Sequence, residues 1–240
     1  MNIAVIFAGG YGVRMHSKSR PKQFLELHGK PIIIYTIEHF ENHPEIDAIV
    51  VACLKDWIPF LEKTLRKYEF TKVKKIVPGG ECGQASIFNG LVAAKEVAGE
   101  DQDAIVLIHD GVRPLINEQT ITDNIQKVKE VGGCITSVPA TETFVVDNGD
   151  GNIQVTERMK SLVARAPQSF YLKDILLAHY KSQQDGKTDY IDSCTLMRHY
   201  GMPIGIVYGP VENIKITTPM DYYIFRTLVE VKENQQIFGF

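Results

Sequence analysis

Phe7-Ala8-Gly9-Gly10-Tyr11-Gly12-Val13-Arg14-Met15, followed shortly by Pro21-Lys22-Gln23-Phe24, is the stretch on which the reading of this chain turns. Just before the glycines, Ile3-Ala4-Val5-Ile6-Phe7 is a short apolar run rich in β-branched residues. Such a run is expected as a strand buried on both faces. The glycines let the backbone turn sharply and bring its N–H groups close to a ligand. Arg14 and Lys22 add two cations at the same place. A strand that empties into a glycine loop carrying two cations suits a polyphosphate. The loop lacks the Gly-Lys-Ser/Thr ending of a phosphate loop and the third glycine of a dinucleotide fingerprint, so a tight turn without a ligand stands as its alternative.

Outward from this stretch, strand-like and helix-like runs alternate. Ile46–Cys53, Val73–Val77, Ala104–Ile108 and Cys134–Val138 read as further strands, while Ile33–Phe40, Ile58–Tyr68, Ala85–Val97 and Gln119–Val131 carry 3.6-residue apolar spacing. The alternation predicts an α/β fold, a doubly wound and mostly parallel sheet with helices on both faces. Ligands of such sheets sit beyond the carboxyl ends of the strands, so the informative residues should follow strands. After the third strand comes Pro78-Gly79-Gly80-Glu81 and then Ser86, either a second nucleotide-contacting loop or a plain turn with a helix cap. After the fourth comes His109-Asp110-Gly111-Val112-Arg113-Pro114. Asp110 there is a candidate magnesium ligand, since magnesium typically takes one or two carboxylates plus phosphate oxygens and water. The alternative makes it a turn residue paired with Arg113. His109 reads as a packed or hydrogen-bonded histidine, with no proton-transfer role.

The pattern breaks at Pro139. Thr143–Asp147 and Asn152–Thr156 are short strand-like runs joined by Asn148-Gly149-Asp150-Gly151, a strong hairpin signature. A hairpin protruding from such a sheet exposes an edge, which predicts pairing with another subunit. The chain is therefore read as one domain, 1–240, with 139–160 as a protruding dimerisation arm. The cations Arg158, Lys160 and Arg165 follow, otherwise read as a solvated face. Lys173–Tyr180 and Ile191–Tyr200 look helical, the second capped by Thr188-Asp189; Ile204–Tyr208 looks like a last strand. Thr218-Pro219 opens a helix through Val231, and Lys215 precedes it, where its ammonium can return to the strand ends.

At 240 residues, 44% hydrophobic and 23% charged, the composition is that of an ordinary globule. A net charge of -3 argues against a general nucleic-acid or membrane-surface binder, so an anionic ligand must be met by locally clustered cations. No run of 18 apolar residues and no secretory segment appear. Cys53, Cys82, Cys134 and Cys194 lack metal-ligand spacing and read as free thiols of a cytoplasmic protein.

Taken together, these stretches resemble the small cytidylyltransferases that activate sugar-alcohol phosphates. Two branches of that family make CDP-methylerythritol and CDP-ribitol. The resemblance runs from the first strand to Asp221 and lies in the ordered set of segments: Ala8-Gly9-Gly10 to Met15, Pro21 to Phe24, Gly79-Gly80 to Gly90, His109 to Pro114, Thr143, Arg158, Pro167 to Phe170, Thr188-Asp189, and Asn213 to Pro219. The resemblance implies a CTP-dependent nucleotidyltransferase with magnesium, working as a homodimer. It implies that Arg14, Lys22 and Lys215 hold the phosphates and the transition state. Ala8, Gly9, Gly10, Gly12, Gly79, Gly80 and Ser86 become nucleotide contacts, and Asp110 a contact of both magnesium and polyol. Thr143 and Arg158, on the arm, bind the acceptor phosphate across the dimer, and Arg113 and Arg165 join the acceptor side.

The sequence departs from the family pattern in four places. Gly83 stands where an arginine is usual, Ala166 where threonine is, Arg165 where a neutral residue is, and Glu142 where aspartate is. Arg165 either replaces the cation missing at Gly83 or reads a different acceptor. Gly29-Lys30-Pro31-Ile32-Ile33-Ile34 and Asp110 to Pro114 look closer to the ribitol branch, so D-ribitol 5-phosphate is the expected acceptor and 2-C-methyl-D-erythritol 4-phosphate the alternative. A non-catalytic nucleotide-binding regulator is a further reading, supported by Gly83 and Ala166. A nicotinamide oxidoreductase is disfavoured because Cys53-Leu54-Lys55 offers no acidic residue at the end of the second strand.

Overall fold

The apolar run near the start forms β1 (Asn2–Ala8), and the computed structural model describes residues 1–10, 15 and 20–238. Two short strands, β2 (Glu26–Leu27) and β3 (Lys30–Pro31), precede α1 (Ile32–Glu41). Then come β4 (Ala48–Cys53), α2 (Ile58–Lys67), β5 (Val73–Pro78), α3 (Gly83–Ala98), β6 (Ile105–Asp110), α4 (Glu118–Val131) and β7 (Gly133–Pro139). The hairpin β8 (Val145–Asp147) and β9 (Ile153–Val155) leads to β10 (Leu162–Tyr171), α5 (Leu172–Gln184), α6 (Ser193–His199), β11 (Gly205–Tyr208) and α7 (Pro219–Phe238).

The main sheet has the order β11-β7-β10-β6-β1-β4-β5. All neighbours are parallel except β10, which runs antiparallel to both β6 and β7. The doubly wound, mostly parallel sheet read from the sequence is thus present. Side-chain alternation along β1 divides the core. Ala4, Ile6 and Ala8 face one cluster with Ile33, Ile37, Leu61 and Ile125, whereas Ile3 and Val5 face another with Ile87, Leu91, Ile175 and Leu196. α1, α2 and α4 therefore cover one face and α3, α5 and α6 the other. From β1 the chain steps through α1 to β4 on one side, and from β5 it returns through α3 to β6 on the other. The strand order reverses there, and the crevice outside Ala8 and Asp110 opens at that point. A third cluster, with Ile32, Val112, Leu115, Ile216 and Phe225, packs α7 and the segment before it against this end.

The structure corrects the sequence reading in two places. β10 is a ten-residue strand in the interior of the sheet, where only motif residues stood out. Its register against β7 shifts between Ala164 and Gln168, so Arg165, Ala166 and Pro167 leave the ladder as a bulge. A proline in an interior strand is tolerated at such a bulge. The bulge carbonyls are held elsewhere: Asn213 Nδ2 donates to Ala166 O at 2.7 Å and Thr136 Oγ1 to Pro167 O at 2.8 Å. Thr188-Asp189 does not cap α6; Asp192 does, its Oδ1 accepting from Thr195 N at 2.7 Å, because the helix begins at Ser193. The predicted start of the last helix holds: Asp221 Oδ2 accepts from Thr218 N at 2.7 Å, with Pro219 as first helical residue.

The hairpin pairs antiparallel as β8 and β9, is not hydrogen-bonded to the main sheet, and is exposed throughout. Its apolar residues Val145, Ile153 and Val155 face solvent in the single chain. Two strands alone are marginal in water, so this element draws little stability from itself.

Two buried histidines give stability a pH dependence. His109 lies against the Phe40 ring, and burial pushes its pKa down to about 3. Burial also pushes His179 down to about 4. An unfolded imidazole titrates near 6.5, so between these values only the unfolded chain binds the proton. Stability from this source is complete above pH 6.5 and is lost as pH falls towards the folded values. Together the two should cost about 4 kcal/mol between pH 7.5 and 5.0. Urea unfolding at the two pH values measures the loss, and His179→Gln should remove roughly half of it. Equal stability at both would contradict neutral burial.

Candidate active site

The two glycine loops touch. A Cβ on Gly9 would lie 2.5 Å from Ser86 Oγ and 3.2 Å from Gly79 Cα, and one on Gly79 would lie 2.8 Å from Gly9 Cα. The need for glycine at these positions is thus close backbone approach. Ser86 closes the second loop on itself, its Oγ accepting from Gly80 N at 3.0 Å and donating to Cys82 O at 3.0 Å. Both hydrogen bonds are of ordinary length, so Ser86 positions the loop as well as lining the cleft.

Gln23 fixes the first loop. It is buried, and its Nε2 donates to Ala8 O at 2.7 Å and Gly10 O at 3.1 Å. Phe24 anchors the same 3-10 turn by stacking on Trp57 at 4.7 Å. With its neighbours held, Lys22 is left on the cleft wall, Nζ 3.1 Å from Ile216 O. Gln23 belongs to the Pro21–Phe24 motif but carries no local sign of this anchoring role, because its burial is a tertiary property.

Asp110 stands at the end of β6 between two cations. Its Oδ2 accepts from Arg113 Nε at 2.7 Å, and its Oδ1 lies 2.6 Å from Lys215 Nζ. Burial opposes ionisation of Asp110, but Arg113 and Lys215 outweigh it and hold the carboxyl well below the usual range. Arg113 is itself buried and donates through Nη1 to Asn213 O at 2.9 Å. Both the turn-and-pair reading and the place beside the loops therefore hold for Asp110. His109 Nε2 is 3.1 Å from Arg113 O, bracing this turn from below. Lys215 is carried in by its neighbour: Ile216 is fully buried, and its N–H donates to Val112 O at 2.9 Å. Burying an isoleucine is worth about 1.5–3 kcal/mol, enough to hold the segment over the strand ends.

Two clefts result. The first, about 430 Å³, is lined by Ala8, Gly9, Gly10, Lys22, Gly80, Ser86, Asp110 and Lys215, among others. The second, about 450 Å³, is lined by Arg113, Arg165, Gln168 and residues 188–193, and it shares Phe7, Cys82, Gly83, Asp110 and Lys215 with the first. Sequence-expected residues from both ends of the chain thus meet at one place. Arg14 and Gly12 lie outside the described residues. Thr143 and Arg158 are exposed on and beside the hairpin and line neither cleft of the single chain.

The residues suit a nucleoside triphosphate: the closely approaching backbone of two glycine loops lines the cleft together with the Lys22 and Lys215 ammonium groups. For a divalent ion, Asp110 offers a carboxylate held ionised by Arg113 and Lys215, whose oxygens each keep a lone pair beyond their present bonds. One such carboxylate fits magnesium brought in mainly on phosphate oxygens. Among the described residues there is no cluster of three or more metal-binding side chains, and no helix long and apolar enough to cross a membrane.

The comparisons with known proteins agree with this geometry. The family model described as IspD: 2-C-methyl-D-erythritol 4-phosphate cytidylyltransferase matches residues 2–230. A protein named ribitol-5-phosphate cytidylyltransferase from Streptococcus agalactiae serotype V is 55% identical over 240 residues, covering 100% of this chain and 99% of that protein. A protein named 2-C-methyl-D-erythritol 4-phosphate cytidylyltransferase from Clostridium acetobutylicum is 37% identical over 237 residues, covering 98% of this chain and 100% of that one. The crystal structure of 4-diphosphocytidyl-2C-methyl-D-erythritol synthase from Anaerococcus prevotii superposes with a TM-score of 0.81 at 26% identity, covering 96% of each chain. With two glycine loops, paired lysines and a shared aspartate at the strand ends, and with relatives matched along its whole length, the chain belongs to the IspD family of cytidylyltransferases.

Proposed function

We propose that this protein transfers the cytidylyl group of CTP to D-ribitol 5-phosphate, giving CDP-ribitol and pyrophosphate. The observation that carries the acceptor is the 55% identity to the named ribitol-5-phosphate cytidylyltransferase over the full chain, against 37% to the methylerythritol enzyme. A phosphate oxygen of the acceptor attacks the α-phosphorus of CTP, and pyrophosphate leaves. The nucleophile is already an anion, so no general base is required. The barrier lies in bringing two anions together: unit charges 4 Å apart repel by about 4 kcal/mol at an effective dielectric of about 20. Lys22 and Lys215, with Arg14, are assigned to offset that repulsion and the charge that grows at the α-phosphoryl group. Gly9, Gly10, Gly79 and Gly80 are assigned to the nucleotide. Asp110 is the residue that would hold magnesium, which when bound neutralises phosphate charge.

Residues 139–160 are read as an arm that reaches a second copy, bringing Thr143 and Arg158 to the partner's acceptor. Support comes from the exposed apolar side chains of the hairpin and from Thr143 and Arg158 not being among the residues that line the two clefts of their own chain. The cytoplasm is the proposed compartment, in keeping with Cys53, Cys82, Cys134 and Cys194 all being free thiols.

Pyrophosphate release with CTP and magnesium over ribitol, methylerythritol, arabinitol and glycerol phosphates tests the reading. Turnover is expected to be highest with D-ribitol 5-phosphate; preference for methylerythritol phosphate would reassign the acceptor, and no turnover with any would remove the enzymatic reading. Arg158→Ala should raise the acceptor KM and leave the CTP KM nearly unchanged. Equal weakening of both would move Arg158 off the acceptor.

A further inference from the structure

The turn that follows β6 hangs its carbonyls on donors from four parts of the chain. Asp110 O accepts from Arg113 N at 3.1 Å, within the turn, and Val112 O from Ile216 N at 2.9 Å. Gly111 O accepts from Thr36 Oγ1 at 3.2 Å. Arg113 O lies 3.1 Å from His109 Nε2, and Pro114 O lies 3.0 Å from His39 Nε2. A carbonyl oxygen can only accept, so both imidazoles donate from Nε2.

The donors Thr36 and His39 come from α1, and the helix itself explains neither. Thr36 is fully buried, the one polar side chain on a buried face otherwise made of Ile32, Ile33, Ile34, Ile37 and Phe40. A threonine inside a helix ordinarily bonds the carbonyl four residues back. For Thr36 that contact, to Ile32 O, is 3.5 Å, and the shorter bond crosses to Gly111. His39 stands one turn further along the same side of α1. It also lines a cavity of about 330 Å³, so close packing alone does not account for an imidazole there.

Where the turn leads gives these donors their weight. Asp110 and Arg113 are buried, and their ion pair fixes the carboxylate beside Lys215. Towards β1 the turn has no slack: Gly111 N donates to Phe7 O at 3.0 Å, and a Cβ on Gly111 would lie 2.9 Å from the Ala8 Cβ. A buried carbonyl that loses its donor swings towards another partner and rotates the peptide planes on either side. Loss at Gly111 or Pro114 therefore displaces Asp110 or Arg113. The glycine loops are held separately, by Gln23 and Ser86.

We propose that Thr36 and His39 are positioning residues of the reaction, through which α1 grips the carbonyls of Gly111 and Pro114 and keeps Asp110 and Arg113 in register with Lys215. The assignment rests on the reading given under Proposed function. Neither residue lines either cleft, so both act at second hand.

The test compares wild-type protein with His39→Leu, His39→Gln, Thr36→Val and His43→Leu in pyrophosphate release with CTP, magnesium and D-ribitol 5-phosphate, each variant paired with a thermal melt. Glutamine keeps a donor at the reach of Nε2, whereas leucine and valine have none. His43 is the control: it is buried four residues further on and bonded to Thr122 Oγ1 of α4 at 3.1 Å, not to the turn. His39→Leu and Thr36→Val should each lower kcat about tenfold, since small misplacements of reacting groups are costly. Their CTP KM should stay within about twofold of wild type, a split that general loosening would not produce. His39→Gln should recover kcat to within about threefold, and His43→Leu should melt earlier with kcat within about twofold of wild type. Thr36→Val keeps the shape of its side chain and carries the test alone if His39→Leu does not fold. An unchanged kcat in Thr36→Val, a His39→Gln protein as slow as a folded His39→Leu, a penalty on the CTP KM in place of kcat, or a His43→Leu protein that loses rate in step with stability would overturn the assignment and leave the enzymatic reading intact. A wild-type protein that turns over no polyol phosphate would overturn both.

Discussion

Lys22→Ala should lower kcat by at least about 10²-fold while the protein remains folded. Lys22 stands in a 3-10 turn held by its neighbours, Gln23 through two carbonyls of the first glycine loop and Phe24 through the Trp57 ring. Truncating the side chain leaves those anchors in place, so the expected stability change is within about 1 kcal/mol. The rate loss follows from position. Lys22 lines the first cleft together with Lys215 and the glycine loops, and the proposed reaction accumulates charge there when two phosphates meet. A positioned donor at developing charge is worth about 2.7–4 kcal/mol of barrier. Steady-state kinetics with CTP and the preferred acceptor, paired with a thermal melt, measures both quantities. A kcat within a few-fold of wild type would remove Lys22 from the chemistry.

The second large effect is on folding as well as rate. Asp110→Asn removes the negative charge from a site where Arg113 is buried and Lys215 is 2.6 Å away. Breaking one partner out of a buried pair typically costs 3–5 kcal/mol, because the remaining charge is left uncompensated. Asp110→Asn is therefore expected to lose about 3 kcal/mol in urea unfolding at pH 7.5 and nearly all activity, since Lys215 loses its anchor. Arg113→Met added to Asp110→Asn removes the orphaned cation. The double variant should then be less destabilised than the two single costs summed, with a coupling of about 1–3 kcal/mol. Simple additivity, or an Asp110→Asn protein as stable as wild type, would mean that the pair contributes little to the fold. The acid sensitivity of this site lies far below that of the histidines. Its carboxyl is depressed, so its contribution is fully present above the ordinary carboxylate range and is lost progressively as pH falls from that range towards the depressed value.

Much of this architecture was legible in the residues. β1, β4, β5, β6 and β7, with the helices that alternate among them, lie within a few residues of their apolar runs, because those runs are long and their periods distinct. β10 was not legible. Pro167 and the polar pair Arg165 and Gln168 break any strand pattern, and only the neighbouring β6 and β7, with the Asn213 and Thr136 hydrogen bonds, stabilise that conformation. The cap of α6 was misplaced for a related reason. Thr188-Asp189 and Asp192 are equally good capping residues, and the choice is made by Leu196 and Met197 entering the core.

The sequence by itself determined which residues follow strands, and therefore that glycines, lysines and an aspartate would stand at one edge of a parallel sheet. Hydrophobic periodicity is local, so that much is written in each segment. Only the tertiary structure decided that Asp110 is shared between Arg113 and Lys215, that Gly9 and Gly79 are in contact, and that Arg165 is turned towards a cleft with Tyr190 and Ser193. These contacts join segments far apart along the chain, and strand order, a bulge and the packing of Ile216 bring them together; none of these leaves a mark in the local pattern.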